Sequence, residues 1–241
     1  PEGHTSSSVV PCIVFFHGGG WNSGTPGQFH PQCVYFAKRG IVGITVQYRL
    51  KSTHGISPDE CVKDGKSAIR WVRSNADELG IDPDRIIAGG GSAGGQIAAI
   101  AGLGNGLNDT NDNLSVSAKP AALVLFNPAL DEKPGSRIHR RVKDVWEDFS
   151  PMNNVSPAAP PAIVFVGTDD TATPPEAARR FTKKMNDAGV RCELCLYEGQ
   201  GHGFFNNEPY CSATLRAADE FLTSLGYLCE PPSAQKKGVR L

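Results

Sequence analysis

The chain has 241 residues, 39% hydrophobic and 20% charged, with a formal net charge of −1. Those proportions fit a globular chain with room for one sizeable α/β domain or two small ones. The near-zero charge gives no electrostatic case for binding nucleic acid or a membrane surface, and no apolar run approaches the roughly 20 residues that span a bilayer. Seven cysteines at scattered spacings cannot all pair within one chain, which argues against a disulfide scaffold. Cys192 and Cys195 stand in a strand-like run, where residues three apart face opposite sides. We read the thiols as mostly buried apolar fillers, and compartment stays open. The first residue is Pro1 and no signal peptide is visible, so either a leader has been removed or the sequence is an excerpt.

Apolar runs alternate with amphipathic ones along the chain. Residues 12–17 read as a short buried strand, 32–39 as a helix and 41–48 as a second strand. Residues 58–79 read as one long helix with Ile69, Val72 and Leu79 among its apolar positions. Asp82-Pro83 has the form of a helix start or turn, with Asp as cap and Pro in first position. Residues 86–89 form the third strand and 94–103 the next helix. The Asn-, Asp- and Gly-rich residues 105–117 are a loop, and 121–126 a fourth strand. Residues 131–161 read as a long, irregular, polar and proline-containing excursion. It contains the basic run Arg137-Ile138-His139-Arg140-Arg141, read as a solvated face. Residues 163–167 and 192–198 are the fifth and sixth strands; 176–188 and 213–225 are helices. The alternation predicts a mostly parallel sheet flanked by helices, with ligands beyond the carboxyl ends of the strands. Residues 231–241 lack a core-facing pattern and are expected to form a flexible tail.

The chemistry starts at Gly90-Gly91-Ser92-Ala93-Gly94, a G-x-S-x-G run between a strand and a helix. Such a turn lifts a serine out of the sheet and exposes it to substrate. With 27 glycines in the chain, the pentapeptide alone is also what an ordinary glycine-rich turn would give, so partners are required. Asp169 and Asp170 follow the fifth strand, and His202 lies between glycines after the sixth. The order Ser, Asp, His is that of one class of serine hydrolase. His202 would take the proton of Ser92, and a carboxylate would orient the imidazole. The Gly-Thr-x-Asp spacing favours Asp170, with Asp169 as a loop-stabilising residue. The N–H of Ala93 and the turn His17-Gly18-Gly19-Gly20-Trp21, directly after the first strand, would supply an oxyanion hole. His17 reads as a hydrogen-bonded anchor of that turn, and His4, His30, His54 and His139 as surface residues. Nothing points to a metal or organic cofactor.

These pieces resemble the α/β-hydrolase esterases with an H-G-G-G oxyanion motif, a group that includes hormone-sensitive-lipase-like enzymes and bacterial acetylesterases active on xylan. The resemblance runs through His17–Trp21, Tyr48-Arg49-Leu50, residues 58–71, Gly90–Gly94, residues 167–170 with Pro174, and residues 199–205. It implies that Gly19, Gly20 and Ala93 donate to the oxyanion and that residues 1–230 form a single α/β-hydrolase catalytic domain. Two departures stand out. With only eleven residues before Cys12, the N-terminal helical cap of lipase-like members and the two antiparallel strands that usually come earlier are both expected to be missing. A missing cap argues against long acyl chains. Trp146 and Phe149, in the excursion, could form an aromatic wall for a sugar ring, or could pack in the core. The favoured expectation is a short-acyl carboxylesterase, an acetylesterase acting on acetylated carbohydrate such as xylan. A prolyl-oligopeptidase-like peptidase or amidase is the alternative, disfavoured by the H-G-G-G turn. A dead hydrolase-fold binding protein is a third, disfavoured by the intact Ser92, Asp170 and His202. Oligomeric state is left open.

Overall fold

Strands that are apolar on every residue need cover on both faces of their sheet, and that requirement organises this chain. The computed structural model describes residues 1–130 and 137–229; the expected tail, 231–241, lies outside the described residues. Residues 1–9 carry no strand. In chain order the elements are β1 (Val10–Phe16), α1 (His30–Lys38), β2 (Val42–Val46), α2 (Lys51–His54), α3 (Pro58–Ser74), α4 (Ala76–Leu79), β3 (Ile81–Gly91) and α5 (Ala93–Leu103). Then follow β4 (Ala122–Phe126), α6 (Arg137–Val142), α7 (Trp146–Phe149), β5 (Ala162–Gly167), α8 (Pro175–Asp187), β6 (Cys192–Tyr197) and α9 (Tyr210–Ser224). The sheet order is β2-β1-β3-β4-β5-β6, and every pairing is parallel. This is the α/β-hydrolase fold.

Alternation along each strand divides the core in two. Val14, Phe16, Ala88, Leu123, Leu125 and Val164 face α3, α5 and α8. Ile13, Phe15, Ile87, Val124, Phe126 and Phe165 face α1 and α9. Cys192 belongs to the first layer and Cys195 packs against the second, as their spacing predicts. All seven cysteines are free thiols. Every residue of α5 is buried, as befits a helix that is apolar all round.

Three expectations need correction. The helix expected over 58–79 breaks at Asn75, whose side-chain Nδ2 donates to the Trp71 carbonyl at 2.7 Å alongside its own N–H. A side chain competing for a helix carbonyl is the ordinary reason Asn interrupts helices. Asp82-Pro83 starts no helix: the strand already begins at Ile81. The register against β1 jumps from Val10–Ile81 to Cys12–Ile86, so residues 82–85 bulge out. Asp84 N–H donates to Asp82 Oδ1 at 2.9 Å and closes that bulge. Residues 131–161 are not wholly irregular, since α6 and α7 lie within them.

Helices α1 and α9 are tied by one partly buried ion pair, its carboxylate side buried. Arg39 Nε donates to Asp219 Oδ2 at 2.6 Å and Nη2 to Oδ1 at 3.1 Å, while the Tyr35 hydroxyl donates to Oδ2 at 3.0 Å. Desolvation and the bond to Asp219 push the Tyr35 phenol up to about 12. Removing one partner of a partly buried pair leaves the other charge poorly solvated. Asp219→Asn is therefore expected to cost about 2 kcal/mol in urea melts, between the exposed and fully buried cases, and Arg39→Met with Asp219→Leu to cost less than the single change. A loss below about 0.5 kcal/mol for Asp219→Asn would show the pair to be idle.

Candidate active site

The G-x-S-x-G run forms a sharp turn at the end of β3. Ser92 sits at φ 52°, ψ −116°, a region costly for a residue with a Cβ. The neighbours over-determine it. Ser92 N–H donates to the Phe126 carbonyl at 2.9 Å, and its own carbonyl accepts from Gln96 at 3.1 Å and Ala129 at 3.2 Å. Gly94 is where the turn needs a glycine most. A Cβ there would lie 2.0 Å from the Phe16 carbonyl oxygen and 2.4 Å from that of His17. Its absence lets the start of α5 press against the end of β1.

His202 Nε2 lies 3.0 Å from Ser92 Oγ, and His202 Nδ1 lies 2.8 Å from Asp170 Oδ2. Asp170 is 3% exposed. Its Oδ1 accepts the N–H groups of Ala172 and Thr173 at 2.9 and 2.8 Å, and its Oδ2 the Thr173 hydroxyl at 2.9 Å. Burial pushes this carboxyl up, but the bonds from His202 and Thr173 outweigh it and hold the group below its ordinary value. Asp170 is thus held ionised beside the imidazole, the state that suits an orienting carboxylate. Asp169 is exposed, its side chain bonded to the Thr168 hydroxyl at 3.4 Å. Of the two aspartates, the geometry brings Asp170 to His202.

The His17–Trp21 turn lies against the serine turn: a Cβ on Gly18 would stand 3.5 Å from Ser92 Cβ. Gly18 N–H donates to Gln28 Oε1 at 2.6 Å, and the Gly19 carbonyl accepts from Asn22 and Ser23 at 3.1 Å. The N–H groups of Gly19 and Gly20 take no part in those bonds. Gly19 has φ 118° and Gly20 φ 63°. Ala93 is the first residue of α5, where helix N–H groups lack intrahelical partners and favour negative charge.

His17 is an anchor, as its sequence setting suggested. It is buried, stacks on Tyr48 at 4.2 Å between centroids, and bonds through Nδ1 to the Gly18 carbonyl at 2.8 Å. Desolvation lowers its pKa despite that bond. Tyr48 donates its hydroxyl to the His17 carbonyl at 2.6 Å. The next residue, Arg49, grips Asp64 of α3 through Nε and Nη2 at 2.9 and 2.6 Å. Trp21 closes the turn from below, donating Nε1 to Gln96 Oε1 at 3.2 Å.

The proposed aromatic wall divides. Phe149 is 1% exposed, its ring 5.6 Å from Trp21, and its carbonyl accepts from Gln96 Nε2 at 2.7 Å. It is a packing residue here, because the short helix α7 turns it into the α3 and α5 layer. Trp146 is half-buried, edge-on to His139 at 5.0 Å.

Sequence reasoning missed Asn127, at the end of β4. It is 1% exposed with φ 34°. Its Oδ1 accepts the Gly203 N–H at 3.1 Å, its carbonyl accepts the Thr173 hydroxyl at 3.2 Å, and its N–H donates to Phe165 at 2.6 Å. One residue thus braces the loops of both His202 and Asp170. The only signal was a polar residue directly after an apolar strand. Among the described residues, no group of three or more His, Cys, Asp or Glu is placed to hold a metal ion, and no helix is long and apolar enough to cross a membrane.

Comparison with known proteins agrees with this layout. Residues 1–131 match the BD-FAE family, and residues 147–229 match the dienelactone hydrolase family. The apo structure of Thermogutta terrifontis esterase 2 superposes with a TM-score of 0.92 at 42% identity, covering 96% of this chain and 89% of that one. That enzyme has also been solved with propionate bound, at 41% identity, a TM-score of 0.92 and coverage of 96% and 89%. Its form phosphorylated by paraoxon matches at 42%, with a TM-score of 0.88 and coverage of 96% and 88%. Esterase LipC of Mycobacterium tuberculosis is 30% identical over 81% of this chain and 53% of its own length. The chain likewise spans 65% of an AB hydrolase superfamily protein of Schizosaccharomyces pombe at 28% identity over 84% of this chain. The chain belongs to the BD-FAE family and shares the α/β-hydrolase fold of these esterases.

Proposed function

We propose that this chain is a serine carboxylesterase for short acyl groups, with residues 1–230 acting as one catalytic domain. The observation that carries the reading is the continuous hydrogen-bonded path Ser92 Oγ, His202 and Asp170, at 3.0 and 2.8 Å. In the proposed mechanism Ser92 Oγ attacks the ester carbonyl while His202 Nε2 takes its proton. The oxyanion is met by the N–H groups of Gly19, Gly20 and Ala93. Collapse breaks the carbon–oxygen bond to the leaving alcohol, which receives the proton from His202. Water, deprotonated by the same imidazole, then releases the acid and restores Ser92. Asp170, ionised throughout, holds the imidazole and stabilises its charged form.

Two structures of one relative support the finer points. Thermogutta terrifontis esterase 2 binds propionate, which favours small acyl groups. Its phosphorylation by paraoxon favours a nucleophile that attacks activated esters. Acetylated carbohydrate such as xylan remains the finer substrate reading; half-buried Trp146 is the aromatic that could meet a sugar ring.

Ser92→Ala is expected to abolish labelling by a fluorophosphonate probe and to lower kcat by about 10⁴ or more, and Asp170→Asn to lower it by roughly 10⁴. Asp169→Asn stays within about twofold of wild type; the reverse order for the two aspartates would reject the assignment. In a panel of p-nitrophenyl esters, acetyl to butyryl groups turn over faster than octanoyl and longer ones. Faster long-chain hydrolysis would sink the short-acyl reading, and acetylxylan and peptide substrates in the same panel separate carbohydrate esterase from peptidase. Asn127→Ala lowers kcat about tenfold with little change in KM, the size of roughly one hydrogen bond. An unchanged kcat would show that Asn127 does not hold the loops.

A further inference from the structure

The His17–Trp21 turn follows β1 and the loop carrying His202 follows β6, on opposite sides of β4 in the sheet. Two side-chain amides join them directly. Gly18 is buried, and its N–H donates to Gln28 Oε1 at 2.6 Å. Gln28 Nε2 donates in turn to Asn206 Oδ1 at 3.2 Å, and Asn206 Nδ2 donates to the Gly203 carbonyl at 2.8 Å. The path starts one residue before Gly19, a candidate oxyanion donor, and ends one residue after His202.

The three bonds run in one sense, and that fixes both amides. Turning either amide over would set like groups against each other at both of its ends. Hydrogen bonds aligned head to tail in this way polarise one another. The bases of the two side chains are held together as well. Gln28 stands in a single 3-10 turn, Pro26–Phe29, and Phe29 and Phe205, the chain neighbours of Gln28 and Asn206, are buried and stacked at 5.7 Å between ring centroids.

The link matters because of what glycine allows. A buried main-chain N–H needs a partner, and Gln28 is the partner of Gly18. Three successive glycines, Gly18 to Gly20, offer little resistance of their own to rotation of a peptide plane. Rotation at Gly18 in search of another acceptor would swing the next peptide and, with it, the Gly19 N–H.

We infer that Gln28 is a positioning residue for ester hydrolysis. With Asn206 it straps the His17–Trp21 turn to the His202 loop, and so holds the oxyanion donor and the base in register across Ser92. The inference rests on the esterase reading and deepens it. Neither amide gives or takes a proton in the reaction; they act through Gly18 and Gly203.

The test uses Gln28→Met, which is of similar length and loses both of its bonds, together with Asn206→Leu and the double variant. Gln28 is half-buried and Asn206 exposed, so the urea midpoints are expected to stay at the wild-type value. With 4-nitrophenyl acetate, Gln28→Met is expected to lower kcat and kcat/KM equally, by about tenfold, and Asn206→Leu by about threefold. The double variant falls no more than about twofold below Gln28→Met, whereas independent residues would multiply to roughly thirtyfold. The second readout is inhibition by 1,1,1-trifluorobutan-2-one. Its carbonyl carbon takes Ser92 Oγ while the serine proton passes to His202, leaving an oxyanion on the enzyme. Its Ki rises by the factor that kcat/KM falls. Wild-type kcat and Ki in Gln28→Met would overturn the inference, and so would losses that multiply or a change confined to KM. So would a lowered urea midpoint with kcat and Ki unchanged, the mark of a merely structural contact. A wild type that turned over no ester and took no fluorophosphonate label would instead remove the esterase reading, and this role with it.

Discussion

The structure around the site depends on one close approach. The first turn of α5 lies directly on the end of β1, where a single methyl group at position 94 would collide with two main-chain carbonyls. That contact sets the start of the helix beneath the His17–Trp21 turn and forces Ser92 into its unfavourable backbone region. Strain of this kind costs about 1–3 kcal/mol and persists only when the surroundings leave no alternative. Here the surroundings are three main-chain hydrogen bonds to Ser92 and an α5 buried along its whole length. The helix cannot relax outward, so the serine stays raised.

A second layer of polar contacts keeps the flexible pieces in place. Glycine-rich turns have little intrinsic preference for one shape, and the His17–Trp21 turn gets its shape from outside. Tyr48 holds the His17 carbonyl, Gln28 holds the Gly18 N–H, and Gln96 links Trp21 to the Phe149 carbonyl. Arg49 and Asp64 fasten the segment that carries Tyr48 to α3. The His202 loop is held differently, by Phe205 packed against both Phe29 and Phe126 and by Asn127 on the Gly203 N–H. Aromatic packing fixes the loop's depth, and the hydrogen bond fixes its direction.

The candidate residues at strand ends were readable from the chain, because the proposed nucleophile turn, acid and histidine each interrupt an apolar run at the same edge. Ser92, Asp170 and His202 fall into that pattern, and so does the glycine turn at 17–21. Residues that brace them were not readable. Asn127, Thr173 and Gln96 are single polar residues without spacing or repeats, and only the fold reveals what each one touches. Phe149 illustrates the opposite failure: an aromatic in a polar stretch fits a pocket wall or a core equally well until its helix is oriented. The bulge at 82–85 was hidden because Asp-Pro begins turns and helices alike, and the extra pairing at Ile81 depends on a distant strand.

The division of the site between strands has a mechanical consequence. Ser92, Ala93 and the His17–Trp21 turn hang from β1 and β3, whereas Asp170 and His202 hang from β5 and β6. Between them runs β4, joined to β5 by parallel pairing that ends at Phe126 and Phe165. A sliding of β5 and β6 by a fraction of an ångström would leave both cores packed, yet it would stretch the contact between Ser92 and His202 directly. The reach from His202 to Ser92 is thus set by how β4 spaces the two halves of the sheet.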